Sequence, residues 1–263
     1  MWVGSVSGTP SGMADEWPST LWLLRHGQSA GNVARDVAEA GGLARIDIAQ
    51  RDMDVPLSEL GERQAVAVAR WFAARPRDER PTAYLSSPYV RAVETARIVR
   101  EGAGGAGDLE IDERLREREF GVLDRLTRSG ITELFPEQAE FRRFLGKFYH
   151  RPPGGESWCD VGLRLRTLLD ELRCEYAGER LLVVTHEVAI KMTRYVLERL
   201  DEAAVLELDR GAELANCSLT TYVRERGGDR RPPFRLVAYN DVEPLGDEGA
   251  PVTRAPDEPV ARG

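Results

Sequence analysis

Short segments with strand character recur along the chain at 21–24, 82–86, 109–115 and 181–185, nearly continuous in apolar residues at 21–24 and 181–185. Each is too short for a helix and ends in polar or turn-forming residues, so each predicts a strand, buried in the first and last, the first spanning about 20–26. Between them the apolar positions change to a helical period. Ser58 is a suitable N-cap, with Glu62 near the first turn and Ala65, Ala69 and Phe72 on one face. A helix is also predicted near Ser29. Others cover 89–100, with Val90, Val93, Ala96 and Ile98 apolar, and about 187–200 and 202–208. The clearest helix is 156–176, where Trp158, Val161, Leu165, Leu168, Leu169 and Leu172 follow a 3.6-residue repeat. Two strand-like segments, 218–224 and 234–239, close the pattern, and Gly227-Gly228-Asp229 between them reads as a hairpin loop. Strands alternating with helices predict an α/β fold: a three-layer α/β/α sandwich with a mostly parallel central sheet covered on both faces.

The pattern fades at both ends. Residues 1–17 are rich in Gly, Ser, Pro and Thr without period and read as a disordered leader. The Pro-rich acidic stretch 243–263 reads as a disordered tail. No linker interrupts the alternation between them, so 18–242 is expected to be one domain. Within it, 116–153 is a long charged stretch with helical pieces near 129–135 and 138–149 and no strand signal, an insertion that would fold over one edge of the sheet as a helical cap.

Apolar residues make up 42 % and charged residues 30 % of the 263 positions, ordinary values for a globular protein with a sizeable core. A net charge of −8 argues against nucleic acid or an anionic membrane as partner, but a local pocket can still be positive toward a small anion. No apolar run reaches the roughly 18–20 residues needed to span a bilayer, and the N-terminus lacks a signal-peptide pattern. Cys159, Cys174 and Cys217 are odd in number and form no C-x-x-C, which suits a reduced, cytoplasmic protein without a zinc site. Oligomeric state is not legible.

The chemistry concentrates at strand ends. The three histidines are His26, His150 and His186, and two of them directly follow buried strands. If those strands are parallel neighbours, both imidazoles emerge at the carboxyl edge, where α/β proteins bind ligands. A single histidine there is most often structural; two at equivalent positions favour a site. Metal binding would need a third ligand, and Arg25 and Arg91 would repel a cation. Both arginines suit bidentate bonding to a phosphate. Gly27 permits close backbone approach, the helix start after it offers amides to an anion, and Ser29 and Asn32 add polar contacts.

Six segments together resemble the histidine phosphatase superfamily in its phosphoglycerate-mutase-like branch, branch 1. They are R-H-G-Q-S-A-G-N at 25–32, P-L-S-E-L-G-E-R-Q-A at 56–65, S-S-P-Y-V-R-A-V-E-T-A at 86–96, L-R-E-R-E-F-G at 115–121, P-P-G-G-E-S-W at 152–158 and V-V-T-H-E at 183–187. They occur in family order across nearly all of 20–225. The resemblance implies a phosphoglycerate-mutase-like fold and a phosphomonoesterase that uses no cofactor or metal on a small phosphate ester. His26 would attack phosphorus to form a phosphohistidine, and Arg25, Arg91 and His186 would surround the phosphoryl oxygens, with positioning and electrostatics carrying the catalysis. Asn32 would add a hydrogen bond. Glu117 would protonate the leaving alcohol and then assist water. Composition alone does not separate Glu117 from Glu110, Asp112, Glu113 or Glu119; only the L-x-E-x-x-F/Y-G pattern does.

Two departures bear on function. Many members carry glycine where this chain has Glu187, which sets a carboxylate beside the phosphate pocket unless it turns into a helix cap. The mutases carry an F-x-G-W-like segment where this chain reads A-R-I-D-I-A-Q-R at 44–51, which favours hydrolysis over mutase chemistry. A silent binding protein on the same fold is a third reading, opposed by the full set of chemical residues. The Gly154–Ser157 segment is either a helix start or also a wall of the site. The cap is either an amphipathic cover with Phe141, Phe144, Leu145 and Phe148 inward, or it also sends arginines, with Arg142, Arg143 and Arg151 as candidates, to a second anionic group of the substrate.

Overall fold

The computed structural model describes residues 17–211, 213–225 and 232–254. Its elements in chain order are β1 (Thr20–Arg25), α1 (Ala30–Ala40), α2 (Glu59–Ala73), β2 (Ala83–Ser86), α3 (Val90–Gly102), β3 (Leu109–Ile111), α4 (Arg128–Leu134), α5 (Pro136–Tyr149), α6 (Trp158–Glu175), β4 (Arg180–Thr185), α7 (Glu187–Leu197), α8 (Glu202–Gly211), β5 (Leu219–Arg224), β6 (Phe234–Asp241) and α9 (Glu243–Asp247). One sheet has the order β3-β2-β4-β1-β5-β6. The first four strands are mutually parallel, β5 runs antiparallel to β1, and β6 antiparallel to β5. The four runs are therefore the parallel part of the sheet, as expected, with β1, β2 and β4 buried and β3 a partly exposed edge strand.

Strand side chains alternate between faces, so a strand covered on both sides must be apolar at every position. In β1, Leu21 and Leu23 join Leu165, Leu168 and Met192 of α6 and α7. Trp22 and Leu24 point the other way, to Val68, Phe72 and Ala96 of α2 and α3. The whole apolar stripe expected on α6 is buried. Burying one such side chain contributes about 1.5–3 kcal/mol, so the central strands that carry the site's strand ends are firmly held.

The structure corrects several expectations. The third strand stops at Ile111, because the Asp112 side chain accepts the Arg114 N–H and turns the chain into a 3₁₀ helix at Glu113–Leu115. The expected disordered tail is folded as far as the description reaches. Leu245 in α9 is fully buried against the α2 side of the core, and Gln64 Nε2 donates to Pro251 O and Thr253 Oγ1, both at 2.9 Å. Residues 255–263 of that tail lie outside the described residues, as do 1–16 of the expected leader and the Gly227-Gly228-Asp229 turn. Trp17 belongs to the fold and meets Phe234 edge-on at 5.5 Å.

The 116–153 insertion contains α4 and α5 and no strand. Of the four cap residues expected inward only Phe148 is buried; Phe141, Phe144 and Leu145 are exposed. The reason is a break of phase. Gly146 adopts φ 78°, so the last residues of α5 face differently from the first, and Phe148 alone reaches Tyr195 of α7 at 5.5 Å. Among the described residues no helix is long and apolar enough to cross a membrane.

The turn after β1 lies hard against the start of α2. A Cβ on Gly61 would stand 2.0 Å from Gln28 O, and one on Gly27 2.5 Å from Gly61 O. Gly61→Ala should therefore displace the 27–29 turn and lower stability by about 1–3 kcal/mol, the scale of an overpacked core. A urea unfolding series would show this as a lower midpoint at unchanged slope; an unmoved midpoint would mean that the turn yields freely.

Candidate active site

The β1–β4 register pairs Arg25 with Thr185, so the next residues, His26 and His186, leave the sheet side by side. Their rings are 5.0 Å apart between centroids and both residues are fully buried. His26 Nδ1 lies 2.7 Å from Gly27 O. A carbonyl oxygen only accepts, so Nδ1 carries the proton and Nε2 carries the lone pair. Arg91, in the first turn of α3, donates Nε–H toward that Nε2 at 3.3 Å, which agrees with the same tautomer. Thr95 ties the two elements together: its hydroxyl donates to Arg91 O at 2.7 Å and accepts the Gly27 N–H at 3.1 Å. His186 is the N-cap residue of α7, and its Nε2 shares a 2.8 Å hydrogen bond with Ser87 Oγ at the end of β2. The Tyr89 ring packs on His186 at 4.9 Å and under the Arg91 guanidinium at 4.9 Å.

The remaining expected residues fall around this pair. Arg25 Nη1 donates to Leu214 O and lies 3.8 Å from Glu187 Oε2. Glu187 thus faces Arg25 instead of capping its helix. Glu117 is buried; its Oε1 accepts the Arg118 N–H at 2.7 Å and its Oε2 the Val188 N–H at 3.3 Å, in the first turn of α7. Glu119 is exposed and bonds the Gly121 N–H. Of the five acids at 110–119 only Glu117 is buried, and it is in contact with α7. Ser29 and Asn32 form the capping box of α1: the Ser29 hydroxyl accepts the Asn32 N–H at 3.1 Å, and Asn32 Oδ1 accepts the Ser29 N–H at 3.0 Å. Their first job is to start the helix that follows the His26 turn, and this orients the Asn32 amide.

Arg142, Arg143 and Arg151 do not line the cleft beside this site, although Arg125 of the same insertion does. Arg143 pairs with Glu140 at 3.8 Å and Arg151 with Asp160, while the charge of Arg142 helps to lower the pKa of His150. The cleft is lined instead by Asn32, Arg35, Asp52, Arg91 and Arg125, with Ile46 and Ile48 from the 44–51 segment. Glu156 is held by Arg116 and Arg164, and Ser157 caps α6, so the 154–157 segment is a helix start braced by ions.

Three contributors were given no role in the sequence reading, although Gln64 lies inside the 56–65 motif. Asp52, on the 3₁₀ turn at Asp52–Asp54, forks onto Arg91: Nη1 to Oδ1 at 3.0 Å and Nη2 to Oδ2 at 3.2 Å. Its carboxylate takes the geometry that a phosphoryl group would take on a guanidinium. Asn216 Nδ2 donates to His26 O and Asn32 Oδ1, both at 3.3 Å. Gln64 accepts the Gln28 N–H at 2.9 Å. Isolated polar residues carry no period, and only the tertiary fold brings these to the turn. Ser87 and Tyr89 sit inside the 86–96 motif, but that motif alone did not give them a role.

Comparison with known proteins shows the family and the fold. The family model for the histidine phosphatase superfamily, branch 1, matches residues 21–241. The chain is similar to a probable phosphoglycerate mutase, GpmB, of Yersinia enterocolitica, 33 % identical over 204 residues, 76 % of this chain and 82 % of the relative. Among solved structures it is similar to a mycobacterial glucosyl-3-phosphoglycerate phosphatase complexed with VO3, with TM-score 0.62, 28 % identity and coverage of 84 % of this chain and 99 % of that one. It is also similar to YhfR of Bacillus stearothermophilus, with TM-score 0.68, 27 % identity and coverage of 86 % and 98 %.

Two expectations follow from the geometry. Asp52 occupies both terminal nitrogens of Arg91, so Asp52→Asn should tighten binding of inorganic phosphate several-fold; calorimetric titration of parent and variant would show weaker or unchanged binding if Asp52 instead supports the anion site. In the cap, burial first, then Arg118 and Arg142, pull the His150 pKa down to about 4 from an ordinary 6.5. Between those values the unfolded chain binds a proton that the folded one does not, so this stability is present above pH 6.5 and is lost as pH falls toward 4. The thermal midpoint should drop over that window, and His150→Gln should flatten the drop; identical profiles would exclude His150 as its source.

Proposed function

The chain belongs to the histidine phosphatase superfamily, branch 1, and from that premise we propose that it is a phosphomonoester hydrolase working through a phosphohistidine on a small phosphorylated metabolite. The observation that carries the reading is the state of His26: Nδ1 bonded to Gly27 O, Nε2 with its lone pair beside Arg91, and His186 within ring contact. An imidazole fixed in that tautomer is a nucleophile that needs no further base.

In the proposed reaction, His26 Nε2 attacks phosphorus in line with the ester oxygen. The P–N bond forms as the P–O bond breaks, and Glu117 gives its proton to the departing alkoxide. Arg25, Arg91 and His186 donate to the phosphoryl oxygens, where charge is spread in the transition state. Water then attacks phosphorus, Glu117 takes a proton from it, and the P–N bond breaks to release phosphate and restore His26. Gly27 lets the turn approach the phosphoryl group, and the Asn32 amide adds a hydrogen bond. No step calls for a metal ion. Cys159, Cys174 and Cys217 are all unpaired, which suits the reducing cytoplasm.

A mutase reading has one observation in its favour, the printed name of the Yersinia relative. Against it stands the 44–51 segment, whose Ile46 and Ile48 put apolar side chains into the cleft where the mutases are expected to carry an F-x-G-W-like segment.

A panel of phosphate monoesters, with and without chelator, separates the readings. Phosphate release is expected to survive chelation and to fall to background in His26→Ala. Glu117→Gln should slow an alkyl phosphate by about 10²–10⁴-fold, the usual worth of general acid catalysis, and p-nitrophenyl phosphate by less, because that leaving group needs little protonation. Isomerisation of 3-phosphoglycerate without net release would establish the mutase reading. Turnover of no ester would establish a binding protein, and loss of activity on chelation would remove the metal-free mechanism.

A further inference from the structure

A file of alternating charges leads from the site into the cap. Arg25 Nη1 stands 3.8 Å from Glu187 Oε2. Glu187 Oε1 accepts from Lys191 Nζ, one turn further along α7, at 2.5 Å. Lys191 Nζ also donates to Asp209 Oδ1 of α8 at 2.9 Å, and Asp209 Oδ2 accepts from Lys147 Nζ of α5 at 2.6 Å. All five side chains are at most 9 % exposed. Leu214 sets the spacing at the site end. Its carbonyl takes Arg25 Nη1, and its N–H lies 3.4 Å from the Glu187 oxygen that Lys191 also holds.

The position of Glu187 poses an electrostatic problem. It directly follows His186, and its charge opposes a phosphoryl dianion. In a poorly screened interior it would also close onto Arg25 as a full ion pair and spend the charge that the phosphoryl group needs. The structure shows a carboxylate drawn the other way, short to Lys191 and long to Arg25. Lys191 suits this role: burial works against its charge, but Glu187 and Asp209 outweigh burial and raise its pKa, so the ammonium persists.

We propose that Lys191 is a positioning residue for phosphoryl binding: it holds the Glu187 carboxylate off Arg25 and so preserves the Arg25 charge for the substrate. The proposal rests on the phosphatase reading for its physiological meaning, but phosphate binding tests it separately.

The experiment titrates inorganic phosphate into the full chain by calorimetry and measures p-nitrophenyl phosphate hydrolysis in parallel. Lys191→Met should weaken phosphate by about tenfold or more and raise KM correspondingly, with a smaller change in kcat, within the usual range of coupling between neighbouring sites. Glu187→Gln placed in the Lys191→Met background removes the released anion while keeping its hydrogen-bonding shape, and should restore phosphate affinity most of the way to that of the parent. Lys191→Gln, closer in shape and polarity, serves the same comparison if the Met variant does not fold. A purely structural lysine would lower the thermal midpoint and leave Kd and KM in place, and that result overturns the proposal. So does a double variant as weak as the single one. A parent that binds phosphate but hydrolyses nothing would defeat the phosphatase reading alone, and the Kd series would still decide the role of Lys191.

Discussion

The site depends on one strand pairing. The β1–β4 register sets Arg25 level with Thr185, and the β2–β4 register sets Ser86 level with Val184. Three strand ends therefore stop at nearly one height, and the next residue of each, His26, His186 and Ser87, meets the others in hydrogen bond or ring contact. A slip of one residue in either pairing would exchange the two faces of a strand and bring an apolar side chain to the edge. The doubly buried sheet makes such a slip costly, so the packing of Leu21–Leu24 and Leu181–Val184 is what holds two imidazoles in register.

The second constraint is charge taken out of water. An unpaired buried ion is far more costly than a paired one, and the ions around His26 are answered in two different ways. Glu187, Lys191, Asp209 and Lys147 answer one another within the interior. Arg91 is answered by Asp52, whose side chain is 37 % exposed and sits on a 3₁₀ turn at Asp52–Asp54. The contrast assigns different roles to two carboxylates near the same anion site. An arriving phosphoryl group can exchange with Asp52, which returns to water. It cannot exchange with Glu187, whose way to water is closed. Glu187 therefore has to be held in place by its own cation, and Asp52 does not.

What was legible in the sequence follows the range of the forces involved. Strands and helices came from periodicity, because a face must be buried whatever it is buried against; the α6 stripe from Trp158 to Leu172 matched in full. His26 and His186 were legible because their position relative to buried strands is a local property. Glu117 was legible through its motif and not through its charge, since five acids crowd the same stretch and only the fold buries one of them. The cap arginines were not legible. A long cation turns to the nearest carboxylate, and Arg143 finds Glu140 one turn away while Arg151 finds Asp160 at the start of the next helix. The tail from Glu243 was misread because composition averages over a segment, while one buried Leu245 and two hydrogen bonds from Gln64 are enough to dock it.

That docked tail completes the support of the candidate nucleophile. Thr253 Oγ1 donates to Asn216 Oδ1 at 2.9 Å, and Asn216 in turn donates to His26 O. The Cys217 N–H, whose residue adopts φ 55°, reaches Arg25 O at 3.1 Å and His26 O at 3.3 Å. His26 is thus gripped from its peptide by the β5 approach and the C-terminal segment, and from its ring by Gly27 O. Its Nε2 accepts from Arg91 Nε, a side chain that also lines the cleft. A nucleophile whose peptide and ring are both held has little orientational freedom left to lose when substrate binds, and that is where positioning reduces a barrier.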